Sequence, residues 1–180
     1  MIKTLSISSE PPEISPVVVI VEEPVSIVPN PEVIEHAGEW ISDNTHFTFQ
    51  QSAYHGYLNN LYTDTWFGSR AASYKFMKQT TVDDIREGTE DESKITGSII
   101  TNGGWHFTYC GDAEHVKQKI NSFCDTQFNV PQVLDSVSEN LKSGKDVLSR
   151  GNMSYRTVDI DDSFPQYIID NKEKYAHLIK

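Results

Sequence analysis

The sequence predicts a domain of the α/β class, in which strands and helices share one hydrophobic core. A chain of 180 residues with 37% hydrophobic residues is long enough for one such core. Residues 17–21 are β-branched throughout, which is typical of a strand buried on both faces in a parallel sheet. Further along, strand-like segments alternate with segments whose apolar residues recur at helical spacing, and that mixture indicates the class.

The first part of the chain divides into a leader and the start of the domain. Residues 1–16 are rich in serine and proline and offer few large apolar side chains. They therefore predict a flexible leader before a domain over residues 17–180. The first helix is expected from Pro31 to about Trp40, because Asn30 is a favourable N-cap and proline is favourable at the first helical position.

The remaining elements follow from periodicity and cap residues. Asp112 is expected to cap a helix that places Val116 and Ile120 on one face. A second helix over residues 132–142 is expected to end at Gly144. Strands are predicted at residues 45–49, 53–61, 68–74, 99–100, 105–109 and 155–160, a loop or short helix at 83–94, and a terminal helix at 164–179.

The charge of the chain argues against nucleic acid as a partner. It has 26 acidic and 15 basic residues, a net charge of −11. Nucleic-acid binding depends largely on Lys and Arg neutralising phosphates. An anionic sugar nucleotide is still compatible with this composition, provided that a metal ion or a placed Arg or Lys supplies local positive charge.

The sequence also bears on the compartment. No apolar run approaches the roughly 20 residues that a membrane span needs, and the N-terminus lacks the pattern of a signal peptide. Cys110 and Cys124 form no Cys-x-x-Cys pair and are expected to be free thiols. We therefore expect a soluble protein without a membrane span, with the cytoplasm favoured.

The segment Asn102-Gly103-Gly104-Trp105-His106 is the first candidate site. Its two glycines allow another molecule to approach the backbone closely. An indole beside an imidazole suits a sugar or uridine ring stacked on Trp105 and a metal-bound diphosphate at His106. A glycine turn followed by an aromatic core strand is the simpler interpretation of the same residues.

A second candidate group follows the tyrosine-rich segment of the chain. Asn59, Trp66 and Arg70 are residue types that contact sugar hydroxyls and phosphates. The alternative is a core strand with Arg70 on the surface. Carboxylates that could hold a metal are sparse: Glu22 and Glu23 follow the first strand, but adjacent side chains of an extended chain point apart.

Taken in order, several segments resemble glycosyltransferase family 17, which includes the enzyme that adds bisecting N-acetylglucosamine (GlcNAc) to N-glycans. The resemblance covers roughly residues 25–180, and the Gly-Gly-Trp-His-Phe segment is its most specific part. The segments are Val28-Pro29-Asn30-Pro31-Glu32, Tyr57-Leu58-Asn59, Trp66-Phe67-Gly68-Ser69-Arg70, residues 102–109, Lys119-Ile120-Asn121-Ser122-Phe123, Gln127-Phe128-Asn129 and Phe164-Pro165-Gln166-Tyr167.

The resemblance implies a GT-A-like mixed sheet flanked by helices. It also implies a divalent Mn or Mg ion and inverting transfer of GlcNAc from UDP-GlcNAc to a glycan hydroxyl. Where the family reads Asp-x-Asp-Glu-Ile, this chain reads Pro24-Val25-Ser26-Ile27-Val28, and the family's N-terminal half is longer. The expected domain is therefore incomplete, truncated at its N-terminus and without the acidic metal motif.

The resemblance also assigns roles to individual residues. The donor site would comprise Gly103, Gly104, Trp105, His106, Asn59, Trp66 and Arg70. Within it, His106 would contact the metal or the diphosphate, Trp105 and Trp66 would be stacking surfaces, and Asn59 and Arg70 would hold hydroxyl or phosphate groups.

An inverting transfer further needs a general base beside the acceptor. Asp64 and Asp112 are the candidates, because they lie near the aromatic motifs in the sequence. Two other functions stay open. One is an inactive remnant of the enzyme that binds carbohydrate or a partner protein, which the missing acidic motif favours; the other is a purely structural domain of a larger assembly.

Overall fold

The computed structural model describes residues 3–4, 17–20, 27–41, 46–86 and 97–180. Over these residues the fold is mixed α/β, with an open mixed sheet and helices, as the sequence predicts. The chain divides into two compact units, of which the first is Met1–Ser52 with Thr65–His106 and the second is Ala53–Asp64 with Phe107–Lys180. No pattern in the sequence indicated this division.

The strands and helices have the following bounds. The strands are β1 (Lys3–Thr4), β2 (Val17–Ile20), β3 (Ile27–Pro29), β4 (His46–His55), β5 (Asn60–Tyr62), β6 (Trp66–Ser73), β7 (Ser98–Ile100), β8 (Gly104–Thr108) and β9 (Tyr155–Thr157). The α-helices are α1 (Pro31–Trp40), α2 (Tyr74–Met77), α3 (Val82–Arg86), α4 (Ala113–Ser122), α5 (Pro131–Ser143) and α6 (Gln166–Asp170). Among the described residues, no helix has the length and apolar character needed to cross a bilayer.

The sheet of the first unit has the order β1-β2-β6-β4, and all of these neighbours are antiparallel. β7 pairs with β4 in parallel, and β8 pairs with both β4 and β3.

The prediction that β2 lies in a parallel arrangement is wrong, because a continuous apolar run reports burial and not the direction of the neighbouring strands. Within the predicted leader, Lys3–Thr4 form β1 against β2; residues 1–2, 5–16 and 21–26, which include Glu22 and Glu23, lie outside the described residues.

The helix α1 confirms its prediction at both ends. The side chain of Asn30 accepts a hydrogen bond from the Glu32 amide at 3.1 Å, and Pro31 occupies the first turn. The helix buries Ala37 against Phe49 of β4 and Ala71 of β6. This small apolar cluster is what attaches the helix to the sheet.

The strand β4 is longer than predicted. The predicted strands over residues 45–49 and 53–61 leave residues 50–52 unassigned, but a β-bulge between Phe49 and Gln50 shifts the register there and the strand continues. The backbone N–H of Ser69 donates to the buried Gln51 side chain at 3.1 Å. The predicted strand over residues 53–61 instead contains a turn at Gly56, whose φ is 76°.

The helices of the second unit confirm their predictions. Asp112 caps α4 by accepting from the His115 amide at 2.8 Å, and α5 ends at Gly144 with φ 75°. Both helices contribute their apolar faces to one buried cluster. Its members are Tyr109, Val116, Ile120, Val137, Leu141, Val147 and Leu148.

The end of the chain differs from its prediction. A helix over residues 164–179 was expected, but α6 stops at Asp170, and a 3₁₀ turn over Ala176–Leu178 follows. Asn171 caps α6, and the polar residues after it give no apolar face to bury. Asp161 accepts from the Ser163 amide at 2.9 Å and so shapes a turn, whereas α6 has no side-chain cap.

Candidate functional site

The first unit brings two predicted donor-site residues into ring contact. Trp66 begins β6 and His106 lies in β8, and both strands pair with β4. Their rings stack with centroids 4.1 Å apart and an interplanar angle of 15°. Two segments that are distant in the sequence, and that both belong to the resemblance, therefore meet at one place.

The indole of Trp66 is packed closely within the first unit. His106 stacks on one of its faces, and Gly68 lies so close to the ring that an added Cβ would be 1.7 Å from a ring carbon. Trp66 is buried accordingly. The ring face that contacts His106 is therefore occupied by the chain itself.

We expect Gly68→Ala to displace Trp66 and to destabilise the first unit by about 2–4 kcal/mol, between the cost of overpacking and that of losing a buried aromatic side chain. The backbone of Gly68 has no positive φ, so the effect is steric. Urea unfolding followed by tryptophan emission measures it, and a second variant, Gly68→Ala with Trp66→Leu, should recover part of the loss. A single variant as stable as wild type would contradict this packing.

The glycine pair is contacted by the chain's own backbone. The N–H of Gly103 donates to the Gln50 carbonyl at 2.8 Å, and its carbonyl accepts from the Asn30 amide at 3.1 Å. Gly104 has φ 125°, and a Cβ there would lie 2.2 Å from the Val28 carbonyl oxygen. The close approach that glycine permits is thus used by β3 and the start of α1.

Trp105 alternates with His106 along β8 and lies opposite Val28 of β3. Trp105 is half-buried and Val28 is 39% exposed. This cross-strand pair, Trp105 with Val28, offers a partly open apolar face on the first unit, and we call it the Trp105 face.

Arg70 is buried, contrary to the alternative that placed it on the surface. Its Nε donates to the Ile85 carbonyl at 3.1 Å, and its Nη1 donates to the carbonyls of Phe67 at 2.7 Å and Ser69 at 3.2 Å. The guanidinium therefore connects α3 to β6. Its role as a phosphate ligand remains a prediction, and such a role would require these bonds to be exchanged.

Asn59 has a comparable internal role in the second unit. Its Nδ2 donates to the carbonyls of Val158 and Lys180, each at 3.0 Å, and its Oδ1 accepts from the Lys180 amide at 2.8 Å. Both amide hydrogens are therefore engaged by backbone. Its predicted contact with a sugar hydroxyl stays a prediction.

The two candidate bases lie in the second unit and are exposed. Asp112 caps α4, and Asp64 lies between β5 and β6. Across the residues that the structure describes, no three or more His, Cys, Asp or Glu side chains group in a way that could hold a metal ion. The predicted role of His106 toward a metal is left as a prediction.

A buried polar cluster in the second unit was not predicted. Asp146 accepts from Arg150 twice, Oδ2 from Nε and Oδ1 from Nη2, each at 3.0 Å, and its Oδ2 also accepts from the Arg150 amide at 2.7 Å. His55 and Asp146 are both buried, with Nε2 and Oδ1 3.3 Å apart. The i, i+4 spacing of Asp146 and Arg150 was the available sequence signal.

The Nε2 atom of His55 has two neighbours that cannot both be hydrogen-bond partners. The Val147 amide donates to it at 3.0 Å, which requires a lone pair, whereas a bond to Asp146 would require a proton there. We assign the neutral ring, because Arg150 already balances the charge of Asp146. Tyr109 and Tyr155 pack against the His55 ring, with centroids at 5.1 and 4.8 Å.

The pKa values in this cluster follow from burial and charge. Burial acts to raise the pKa of Asp146, but the hydrogen bonds and the charge of Arg150 outweigh it and hold the pKa below its ordinary value of 3.8. Burial, reinforced by the charge of Asp146, raises the pKa of Tyr155. Nearby Cys110 is a free thiol whose pKa burial raises to about 12, so it is not a reactive nucleophile.

Comparison of the chain with protein-family models, with curated proteins and with solved structures gave no match. The resemblance to a family and the functions that it implies therefore remain predictions from the sequence.

Proposed function

We propose that this chain is a glycosyltransferase-related protein that binds carbohydrate without turnover, through the Trp105 face. The observation that carries the proposal is the internal use of the predicted donor-site groups. The donors of Arg70 face carbonyls, the amide of Asn59 binds backbone, and the buried Trp66 stacks on His106. Trp105 is half-buried and lies opposite Val28, which is 39% exposed.

The chemistry of this face suits a neutral sugar ring. The C–H face of a sugar packs on an indole much as an apolar side chain does, and this contact needs no charge. A chain of net charge −11 disfavours an anionic ligand unless a cation accompanies it. A mannose-containing glycan fits these conditions better than a sugar nucleotide alone.

The second candidate is the active transferase, which would take GlcNAc from UDP-GlcNAc with Mn or Mg and pass it to a glycan hydroxyl with inversion. Gly103, Gly104 and His106 favour it, because they belong to the most specific segment of the resemblance. This second function would also require the mixed sheet to be of the GT-A type. His106 would then contact the metal or the diphosphate.

One experiment separates the two functions. Glycan binding is titrated with a mannose-containing oligosaccharide, and UDP release is measured from UDP-GlcNAc with Mn²⁺ and the same acceptor. We expect binding without UDP release, and Trp105→Ala should weaken binding about two- to tenfold, the magnitude of an aromatic contact. Trp105→Tyr, with its own flat ring, should retain most of the affinity.

The other outcomes decide against the proposal. UDP release by the wild-type chain that is lost in His106→Ala would establish the transferase instead. Binding of neither ligand would overturn both functions and leave a structural domain. Circular dichroism of each variant shows whether a loss of binding comes from loss of the fold.

A further inference from the structure

The end of the second unit carries two tyrosines and a lysine whose polar atoms converge. Tyr167 of α6 is 58% exposed, and its phenolic oxygen accepts from Lys174 Nζ at 3.3 Å and from Tyr175 Oη at 3.4 Å. The two tyrosine rings lie 6.2 Å apart. Two donors therefore converge on one exposed phenolic oxygen.

The backbone around this group is fixed by further hydrogen bonds. Asn171 donates its side-chain amide to the Tyr167 carbonyl at 2.8 Å, which closes the end of α6. The ammonium of Lys172 donates to the Ile160 carbonyl and so holds the following turn to the preceding segment. The convergence of Lys174 and Tyr175 on Tyr167 therefore arises from a hydrogen-bonded turn.

Two donors on one phenolic oxygen favour its ionised form. The hydrogen bond from Tyr175, then that from Lys174 and the lysine charge, lower the pKa of Tyr167 below its ordinary value of 10.0. The same contacts raise the pKa of Lys174. A phenolate is a far better nucleophile than a phenol, so a larger ionised fraction speeds attack on an electrophile.

We propose that Tyr167 is a covalent modification site for sulfur(VI) electrophiles, with Lys174 and Tyr175 as the residues that activate its oxygen. With an aryl sulfonyl fluoride, the Tyr167 oxygen forms a bond to sulfur, the S–F bond breaks, and fluoride leaves with the bonding electrons. The phenolic proton passes to the buffer.

Tyr74 is a matched control within the same chain. It is 49% exposed and has a lysine nearby, but Lys78 Nζ lies over the ring, 4.5 Å from its centroid. A cation over the ring face is not a donor to the phenolic oxygen. Lys174 Nζ also lies over the Tyr167 ring, 5.8 Å from its centroid, but in addition it donates to the phenolic oxygen at 3.3 Å, and that bond is the difference between the two tyrosines.

The test treats the full chain with a limiting amount of an aryl sulfonyl fluoride and measures labelling of each tyrosine by peptide mass spectrometry. We expect Tyr167 to react about two- to fivefold faster than Tyr74, which corresponds to an exposed ion-pair contact. Lys174→Met and Tyr175→Phe should bring the ratio of the two rates toward one. Lys78→Met should leave the rate at Tyr167 unchanged.

Equal rates at Tyr167 and Tyr74 in the wild type would overturn the inference, and so would a ratio that Lys174→Met leaves unchanged. Lys174 and Lys78 are exposed and Tyr175 is half-buried, and circular dichroism verifies the fold of each variant. The inference does not depend on the carbohydrate site, because its residues and its readout are separate from those of the Trp105 face.

Discussion

Replacing Arg150 with methionine is expected to lower the free energy of unfolding by about 3–4 kcal/mol at pH 7. The buried carboxylate of Asp146 would lose the two hydrogen bonds and the positive charge of the Arg150 side chain, and only the bond from the backbone amide of residue 150 would remain. Removal of one member of a buried ion pair has costs of this order. The loss of stability has an upper limit, because Asp146 can become protonated in the variant. Protonation costs about 1.4 kcal/mol for each unit by which the pH exceeds the pKa of the carboxyl group. Urea unfolding followed by tyrosine near-UV circular dichroism measures it.

Two controls make this prediction specific. Arg156→Met removes an exposed arginine of β9 and should change stability by less than about 0.5 kcal/mol. Asp146→Asn should cost only about 1–2 kcal/mol, because the side chain of Arg150 is 28% exposed and can turn to water. If Arg150→Met behaves like Arg156→Met, the pair does not stabilise the unit.

The same variant has a pH signature. In the wild type the folded pKa of Asp146 is lowered, so its stabilisation is present above roughly pH 4 and is lost as the pH falls through the lowered pKa. Without Arg150, burial dominates and the folded pKa rises above the unfolded one. The deficit of Arg150→Met should therefore shrink as the pH falls from 7 toward roughly 4, and a deficit that does not change with pH would contradict the assignment.

Gly104→Ala is expected to destabilise the first unit by about 3–4 kcal/mol. The added Cβ would lie 2.2 Å from the Val28 carbonyl oxygen, 2.7 Å from the Asn30 nitrogen and 2.8 Å from the Pro29 Cα. These are backbone atoms and cannot rotate away, and a φ of 125° is itself strained for alanine by about 1–3 kcal/mol. β3 would have to separate from β8, and the start of α1 would move with it.

Tryptophan emission reports this change selectively, because all 3 tryptophans lie within the residue ranges of the first unit. Gly151→Ala is the control: no atom lies within 4 Å of its added Cβ, and the expected change is within about 0.5 kcal/mol. Similar unfolding midpoints for the two variants would show that β3 does not pack on Gly104 as described.

Local sequence patterns determined the helices whose ends carry caps. Asn30 with Pro31, Asp112, and Gly144 each place a helix end through a contact with the adjacent backbone, and such contacts depend on a few neighbouring residues. The prediction of a terminal helix over residues 164–179 was wrong because a local helix end was overlooked. Residues 164–179 contain apolar side chains, but Asn171 ends the helix early.

The sequence did not show which polar residues are buried when their hydrogen-bond partners are distant in the chain. Gln51 lies between the predicted strands over residues 45–49 and 53–61, and nothing in the local sequence indicated that its side chain accepts from the distant Ser69 amide. His55 gave no signal, since the backbone of Val147 that contacts it is far along the chain. Arg70 likewise looked like a surface or ligand-binding residue until its carbonyl partners were known.

The sequence by itself determined the α/β class, the capped helices and the segments that make up the candidate site, because these depend on composition and on contacts between near neighbours. Only the tertiary structure decided which residues meet. In it, Trp66 stacks on His106, the side chains of Arg70 and Asn59 bind backbone atoms, and Trp105 is half-buried opposite Val28. The physical reason is that a polar or aromatic side chain can serve the fold or a ligand, and the choice depends on partners brought from elsewhere in the chain.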